Sequence, residues 1–261
     1  MKYSFMTFST PELRLNQVLD CAVKYGYDAI EARLDAEHKH GIEVTATPDE
    51  RAGLKAEIAD APITLCCLAT SLRYADPAGR EQTIADTHER IDLAGDMGCP
   101  RIRVFGGKLG EGLDRAAAID LVSESLASVA DHAAQRNVTI CMETHDDWCD
   151  PAHVAAVVSR VNHANVAVNW DIMHPVRTGH ATMDEAFETL KPWIRHLHIH
   201  DGHGLKMCPI GEGEIDHRRA LELVKTIDYD GYISGEWINW EPYDIHLPRE
   251  LATLKKYEAS L

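Results

Sequence analysis

The chain has 261 residues, 45% of them hydrophobic, and a formal net charge of −16. The length suits two small domains or one α/β barrel of about 250 residues, with enough apolar material for a sizeable core. The charge argues against nucleic acid or an anionic membrane surface as the main partner, because both select for clustered Lys and Arg, and no run of about 18 apolar residues offers a membrane span.

Seven cysteines (Cys21, Cys66, Cys67, Cys99, Cys141, Cys149 and Cys208) are scattered with no C-x-x-C pair of zinc-site spacing, so free thiols and a cytoplasmic location are expected. Met1–Thr7 is too short and too polar for a signal peptide.

In chain order, strand and helix alternate without a low-complexity linker. Tyr3–Phe8 reads as a first strand. Ser9-Thr10-Pro11-Glu12 reads as a cap with proline at the first helical position, followed by the stripe Leu15, Val18, Leu19 and Ala22 and a stop at Gly26. Asp28–Leu34 is a second strand, and after a polar loop with His38, His40 and Glu43 a helix opens at Thr47-Pro48-Asp49-Glu50. Ile63–Leu68 is a third strand, with a helix from about Gly79 to Leu93. Arg101–Phe105 is a fourth, running into Gly106-Gly107. The helix after it carries Ile119, Val122, Leu126, Val129 and Ala133 and is capped near Asn137.

Val138–Met142 makes a fifth strand and Pro151–Val161 a helix. Val166–Trp170 is the sixth strand, with a short helix from about Met183 to Leu190. Ile194–Asp201 is the seventh, with a helix over His217–Ile227. Tyr232–Gly235 is the eighth, and Pro248–Tyr257 closes the chain as a helix. Eight strand–helix units in one chain of this size predict a single-domain (β/α)8 TIM barrel spanning residues 1–261. A doubly wound sheet fits less well, because no G-x-G-x-x-G follows the first strand.

The seventh strand carries His196, His198 and His200 in alternation with Leu197 and Ile199. Alternate side chains share a face, so the imidazoles point one way. Taken alone this reads as a metal site, a proton relay or an edge strand with a wet face. The ends of the last four strands add Glu143, Asp171, His198 and Glu236, all with inward parity. Three carboxylates and an imidazole on one barrel rim repel unless a cation sits among them. Such a mixed O/N set suits Mn²⁺, Mg²⁺, Co²⁺ or Zn²⁺. Singly, each carboxylate also reads as a loop charge or a helix cap.

The ordered set M-E-T at 142–144, D-I-M-H at 171–174, H-I-H-D at 198–201, G-E-G at 211–213 and G-E-W at 235–237 resembles the xylose isomerase-like barrel superfamily. That superfamily includes ketose 3-epimerases, hydroxypyruvate isomerase, inosose dehydratase and endonuclease IV-type enzymes. The resemblance implies one divalent metal ion, Mn²⁺ first, held by Glu143, Asp171, His198 and Glu236. It implies that Glu143 and Glu236 double as an acid/base pair, that His174 contacts substrate, and that Lys206 supplies a cationic contact. A carbohydrate substrate and a homodimer or homotetramer are implied in the same way.

The residues themselves add Glu31, Arg33 and Arg73 as candidates for gripping sugar hydroxyls, with a solvated charge or a barrel salt bridge as the structural alternative. His196 and His200 lie one layer below and one above His198, where hydrogen-bonding support is expected. Trp237 reads as packing. The function expected is a metal-dependent sugar or polyol isomerase or epimerase acting through an enediolate. A lyase on the same barrel is the alternative, with His145, His174 or His200 as the general acid near the leaving hydroxyl. A DNA-repair nuclease fits poorly, because V-F-G-G at 104–107 holds no histidine and the net charge is −16. A barrel without chemistry, serving as a binding subunit, is the non-enzyme alternative.

Overall fold

The structure, a computed structural model, describes residues 1–204 and 206–261. The barrel strands are β1 (Lys2–Met6), β2 (Ala29–Arg33), β3 (Thr64–Arg73), β4 (Arg101–Phe105), β5 (Thr139–Glu143), β6 (Val166–Asp171), β7 (Ile194–Ile199) and β10 (Tyr232–Gly235), with a two-stranded hairpin, β8 (Asp201–His203) and β9 (Lys206–Cys208), after β7. The helices are α1 (Leu15–Tyr25), α2 (Pro48–Ala59), α3 (Arg80–Met97), α4 (Arg115–Gln135), α5 (Pro151–Val161), α6 (Met173–Arg177), α7 (Met183–Leu190), α8 (His217–Lys225) and α9 (Tyr243–Glu258). Eight parallel strands close in the order β1-β10-β7-β6-β5-β4-β3-β2, a (β/α)8 barrel. Among the described residues no helix is long and apolar enough to cross a membrane.

Period-two alternation sorts the side chains into two layers. On β6, Val166, Val168 and Trp170 join the apolar layer between barrel and helices, while Asn169 and Asp171 are buried polar residues of the opposite parity. On β7, Leu197 and Ile199 face the helices and His196 and His198 are buried on the other face. The main hydrophobic core therefore lies outside the barrel wall, where each buried Val- or Leu-sized side chain stabilises by about 1.5–3 kcal/mol. The barrel interior carries polar groups that must find partners, beside a small separate apolar cluster of Ala29, Cys66 and Cys67.

Several boundaries depart from the sequence reading. β1 stops at Met6 and Thr7–Ser9 form a 3-10 turn, so Pro11 does not open α1. The reason is tertiary: the Ser9 hydroxyl is engaged by His246 Nε2 at 3.0 Å, and the helix begins instead behind Arg14, whose amide donates to Gln17 Oε1 at 3.0 Å. β3 continues five residues past Leu68, to Arg73, across a register shift that pairs Arg73 with Phe105. The seventh strand ends at Ile199, because Asp201 leaves the barrel to pair with Cys208 in the hairpin. α6 was not expected, and α9 begins at Tyr243 with Pro248 inside it. The amide lost at Pro248 falls near the start of α9, where His246 is held between Ser9 and the Glu241 carbonyl.

Candidate active site

Glu143 closes β5, Asp171 closes β6, His198 sits on β7 and Glu236 follows β10. Strand register brings them together, with Glu143 opposite Asn169, Asp171 opposite His198 and Ser234 opposite His198. All four are buried, and one donor atom from each lies within 4.8 Å of the others. His198 Nδ1 is 3.0 Å from Glu143 Oε1 and 3.4 Å from Glu236 Oε2.

Beneath this rim, Glu31 faces inward from β2 and is fully buried. His198 Nε2 lies 3.0 Å from Glu31 Oε1, and His196 Nε2 lies 2.9 Å from Glu31 Oε2. The expectation that Glu31 grips substrate hydroxyls does not match this placement, because both of its oxygens are taken by imidazoles. Its bond to Nε2 leaves His198 Nδ1 facing the three rim carboxylates. Burial works to raise the Glu31 carboxyl, but the charges of His198 and His196 outweigh it and hold the group well below the usual carboxylate range. Burial likewise works to lower His198, and Glu31, Glu143 and Glu236 together raise it well above the usual histidine range. His196, one layer lower, stays below that range through burial.

The donor chemistry fits a divalent cation. Glu143 Oε2 and Asp171 Oδ2 are buried oxygens without a hydrogen-bond partner, within an O/N set of hard and borderline donors. The protein supplies one permanent cation of its own here, Arg103 on β4. Its Nε is 3.1 Å from Glu143 Oε2 and its Nη2 is 3.8 Å from Glu236 Oε1. It is locked by donating to the Thr70 carbonyl at 2.8 Å and by stacking over Phe105.

The opposite wall is histidine-rich. Asp171 Oδ1 accepts the amides of Met173 and His174, starting α6, while Oδ2 faces His200 Nε2 at 3.2 Å. Arg177 donates to His174 Nδ1 at 3.0 Å, so the His174 proton sits on Nε2. His145 packs on His174 with ring centroids 4.5 Å apart, and His174 on His200 at 5.6 Å. Burial works against protonation of His145, but Asp146, Glu143 and Glu236 raise it above its ordinary value. These imidazoles, with Arg177, Lys206 and Glu236, line a cavity of about 380 Å³. Arg73 lines a different cavity on the same rim.

The profile of a family described as xylose isomerase-like TIM barrel matches residues 19–257. The chain belongs to that family. Among relatives within it, a 3-dehydroshikimate dehydratase of Bacillus anthracis is 23% identical over 94% of each chain. A 2-oxo-tetronate isomerase of Cupriavidus necator is 28% identical over 61% of this chain and 63% of its own. The crystal structure of a D-psicose 3-epimerase in the presence of D-fructose superposes with a TM-score of 0.81 at 18% identity, covering 98% of this chain and 99% of that one, a likeness that shows the fold.

Within this xylose isomerase-like barrel, the G-E-G stretch has a definite role. The Asp201 carboxylate accepts the amides of Gly202, Gly211, Gly213 and Ile215 at 2.9–3.2 Å, folding the loop back on itself. A Cβ at Gly213 would sit 2.2 Å from Asp201 Oδ1, so only glycine allows the approach. Trp237 is buried against Gly235 and His246, as packing. The sequence reading missed Arg103, and of its two readings of Glu31 the placement is that of the barrel salt bridge. The available signal for Arg103 was its inward parity on β4, shared with Phe105.

Proposed function

We propose that this protein is a divalent-metal-dependent isomerase or epimerase of a sugar or polyol, working by proton abstraction next to a carbonyl. The observation that carries this reading is the convergence of Glu143 and Glu236, from separate strands, on one donor cluster with Asp171 and His198. Glu143, Asp171, His198 and Glu236 would hold the ion, for which Mn²⁺ is proposed first. When bound, a divalent cation polarises the substrate carbonyl and acidifies the adjacent C–H.

The chain's own residues do the rest. Glu143 takes the proton from one face of the carbon, leaving an enediolate, and in isomerisation returns that proton to the neighbouring carbon. In epimerisation Glu236, ionised at the start, takes up a proton from solvent and delivers it to the other face. Arg103, touching both carboxylates, fixes their orientation. His174, with Nε2–H directed by Arg177, donates to a substrate oxygen. Burial of the cluster keeps water from the reacting carbon.

A second reading, a dehydratase, is favoured by His145. It borders the cavity with its pKa raised, so it can protonate a departing β-hydroxyl, which leaves as water. The dehydratase relative that matches along 94% of both chains points the same way.

The test is incubation with Mn²⁺ and a panel of ketoses in D₂O. Deuterium should enter the carbon next to the carbonyl, and Glu143→Gln should abolish it in a folded protein. Exchange in that variant at the parent rate would rule out Glu143 as the base. Product analysis then separates epimer, isomer and dehydrated product.

A further inference from the structure

We propose that Arg73 and Lys108 form an anion subsite for a phosphate or carboxylate at the far end of the substrate. The proposal rests on the carboxylate cluster being the reacting end.

A second cavity, of about 790 Å³, opens on the rim where β3 and β4 end. Asp146 lines both this space and the 380 Å³ cavity, so the two abut there. Asp146 adopts a left-handed φ of 50° and is paired with His145 at 3.2 Å, which fixes the divider between them. The proposal places the carbonyl end of the ligand at the cluster and its far end beyond Asp146, in the larger space.

Three cations line that space, Arg73, Arg90 and Lys108, and Arg90 is paired with Asp35. β3 ends in Arg73, whose register partner is Phe105 at the end of β4. The chain leaving β4 turns at Gly107 with φ +80°, and a Cβ there would lie 2.9 Å from Arg73 Cβ. The aliphatic stem of Arg73 is thus laid on the Gly107 backbone, and the next residue, Lys108, lines the same cavity. A Cβ at Gly106 would meet the Trp148 indole at 2.2 Å, so the Gly106-Gly107 turn is required by packing on both sides. This accounts for a glycine pair that the proton-transfer chemistry leaves unexplained.

Aspartates line the cavity too, but each is already engaged. Asp35 pairs with Arg90 at 2.7 Å and accepts the Ser71 amide at 2.9 Å. Asp86 accepts from Gln82 at 2.8 Å, and Asp76 accepts the Ala78 amide at 3.0 Å. Asp146 has His145. Among the described residues, by contrast, Arg73 and Lys108 form no ion pair, and both are exposed to the cavity. A ligand entering this space therefore meets two cations that make no ion pair, and aspartates whose oxygens already accept hydrogen bonds or face a cation. An oxyanion with several acceptors satisfies that arrangement, through the fork of Arg73 and the point charge of Lys108. A terminal hydroxyl leaves both cations without a counter-charge.

The experiment compares D-fructose, its 6-phosphate and the ketohexose whose C6 is a carboxylate, using Mn²⁺-loaded protein and deuterium wash-in. An anionic sugar should show the higher kcat/KM, mainly through KM, and raised salt should shrink the advantage because the cations are exposed. Arg73→Gln with Lys108→Gln should cut the anionic-to-neutral preference by about tenfold or more, as expected for a lost charge-assisted bond. Arg218→Gln, on the outer face of α8, should leave it unchanged. Preference for phosphate identifies a phosphorylated sugar as the source, and preference for carboxylate a sugar acid. Absence of any preference, or one that survives the double substitution, overturns the subsite while the exchange chemistry stands. Calorimetric binding to Glu143→Gln protein covers the reverse case. If no sugar exchanges but the 6-phosphate binds in a manner dependent on Arg73 and Lys108, the reaction is wrong and the subsite is right.

Discussion

The barrel interior holds two acid–imidazole layers made of the same residue types, and they differ in how their charges are answered. In the lower layer, Glu31 has both oxygens bonded, one to His196 and one to His198. In the upper layer, Glu143 Oε2 and Asp171 Oδ2 make no hydrogen bond, although Arg103 Nε lies 3.1 Å from the first and His200 Nε2 3.2 Å from the second. His198 belongs to both, with Nε2 committed downward and Nδ1 facing upward. A buried carboxylate with both oxygens hydrogen-bonded is support, whereas one with an oxygen that no hydrogen bond claims is free to take a ligand.

The comparison breaks most sharply if the upper layer is substituted. Asp171→Asn or Glu143→Gln should abolish the stabilisation that added Mn²⁺ gives the parent, about 2.7 kcal/mol at a hundred times Kd. For a chain of this size that is a rise in Tm of roughly 5–10 °C, read by thermal unfolding with and without the ion. An unchanged Mn²⁺ response in both variants would place the ion elsewhere.

Acidity should act next most strongly, through His198. Its folded-state pKa is raised, so in the ion-free barrel the imidazolium contributes stability that is full below the unfolded value and is lost as pH rises through the raised one. Metal binding must expel that proton from Nδ1, so it strengthens over the same window, by about tenfold per pH unit below the raised pKa. Titration calorimetry in buffers of different ionisation enthalpy should report close to one proton released per ion. Zero release would remove His198 from the ligand set.

Glu31→Gln sharpens the contrast from below. It touches no rim carboxylate, yet it removes the charge that orients His198, and a loss of about 10–100-fold in Mn²⁺ affinity is expected with the fold intact. Affinity equal to the parent's would make Glu31 a structural group only. The smallest effect belongs to His196→Asn, which keeps a donor near Glu31 and sits one layer further away. A change below about tenfold is expected from the same Mn²⁺ titration.

Much of the fold was legible because its signals are local. Thr47 with Glu50 forms a capping box, Pro151 opens α5 behind Asp150, and Gly98 ends α3 in a left-handed conformation. Misreadings arose where a distant group intervened. Ser9 looked like a helix cap, but His246, 237 residues later, engages its hydroxyl. Asp201 looked like the end of a strand, but it gathers four amides from the loop that follows. Glu31 read as either a sugar contact or a barrel salt bridge, and its partner His196 lies 165 residues further along the chain.

By itself, the sequence determined the eight-unit barrel and the inward parity of Glu143, Asp171, His198 and Glu236, since a period of two assigns faces without knowledge of neighbours. Only the tertiary structure decided which layer each inward residue occupies and which oxygens make no hydrogen bond. Those outcomes depend on barrel closure, which sets β2 and β4 against β7 and β10 across the interior. Closure is why Glu31 supports His198 from beneath, and why Arg103 rather than a fifth carboxylate stands between Glu143 and Glu236.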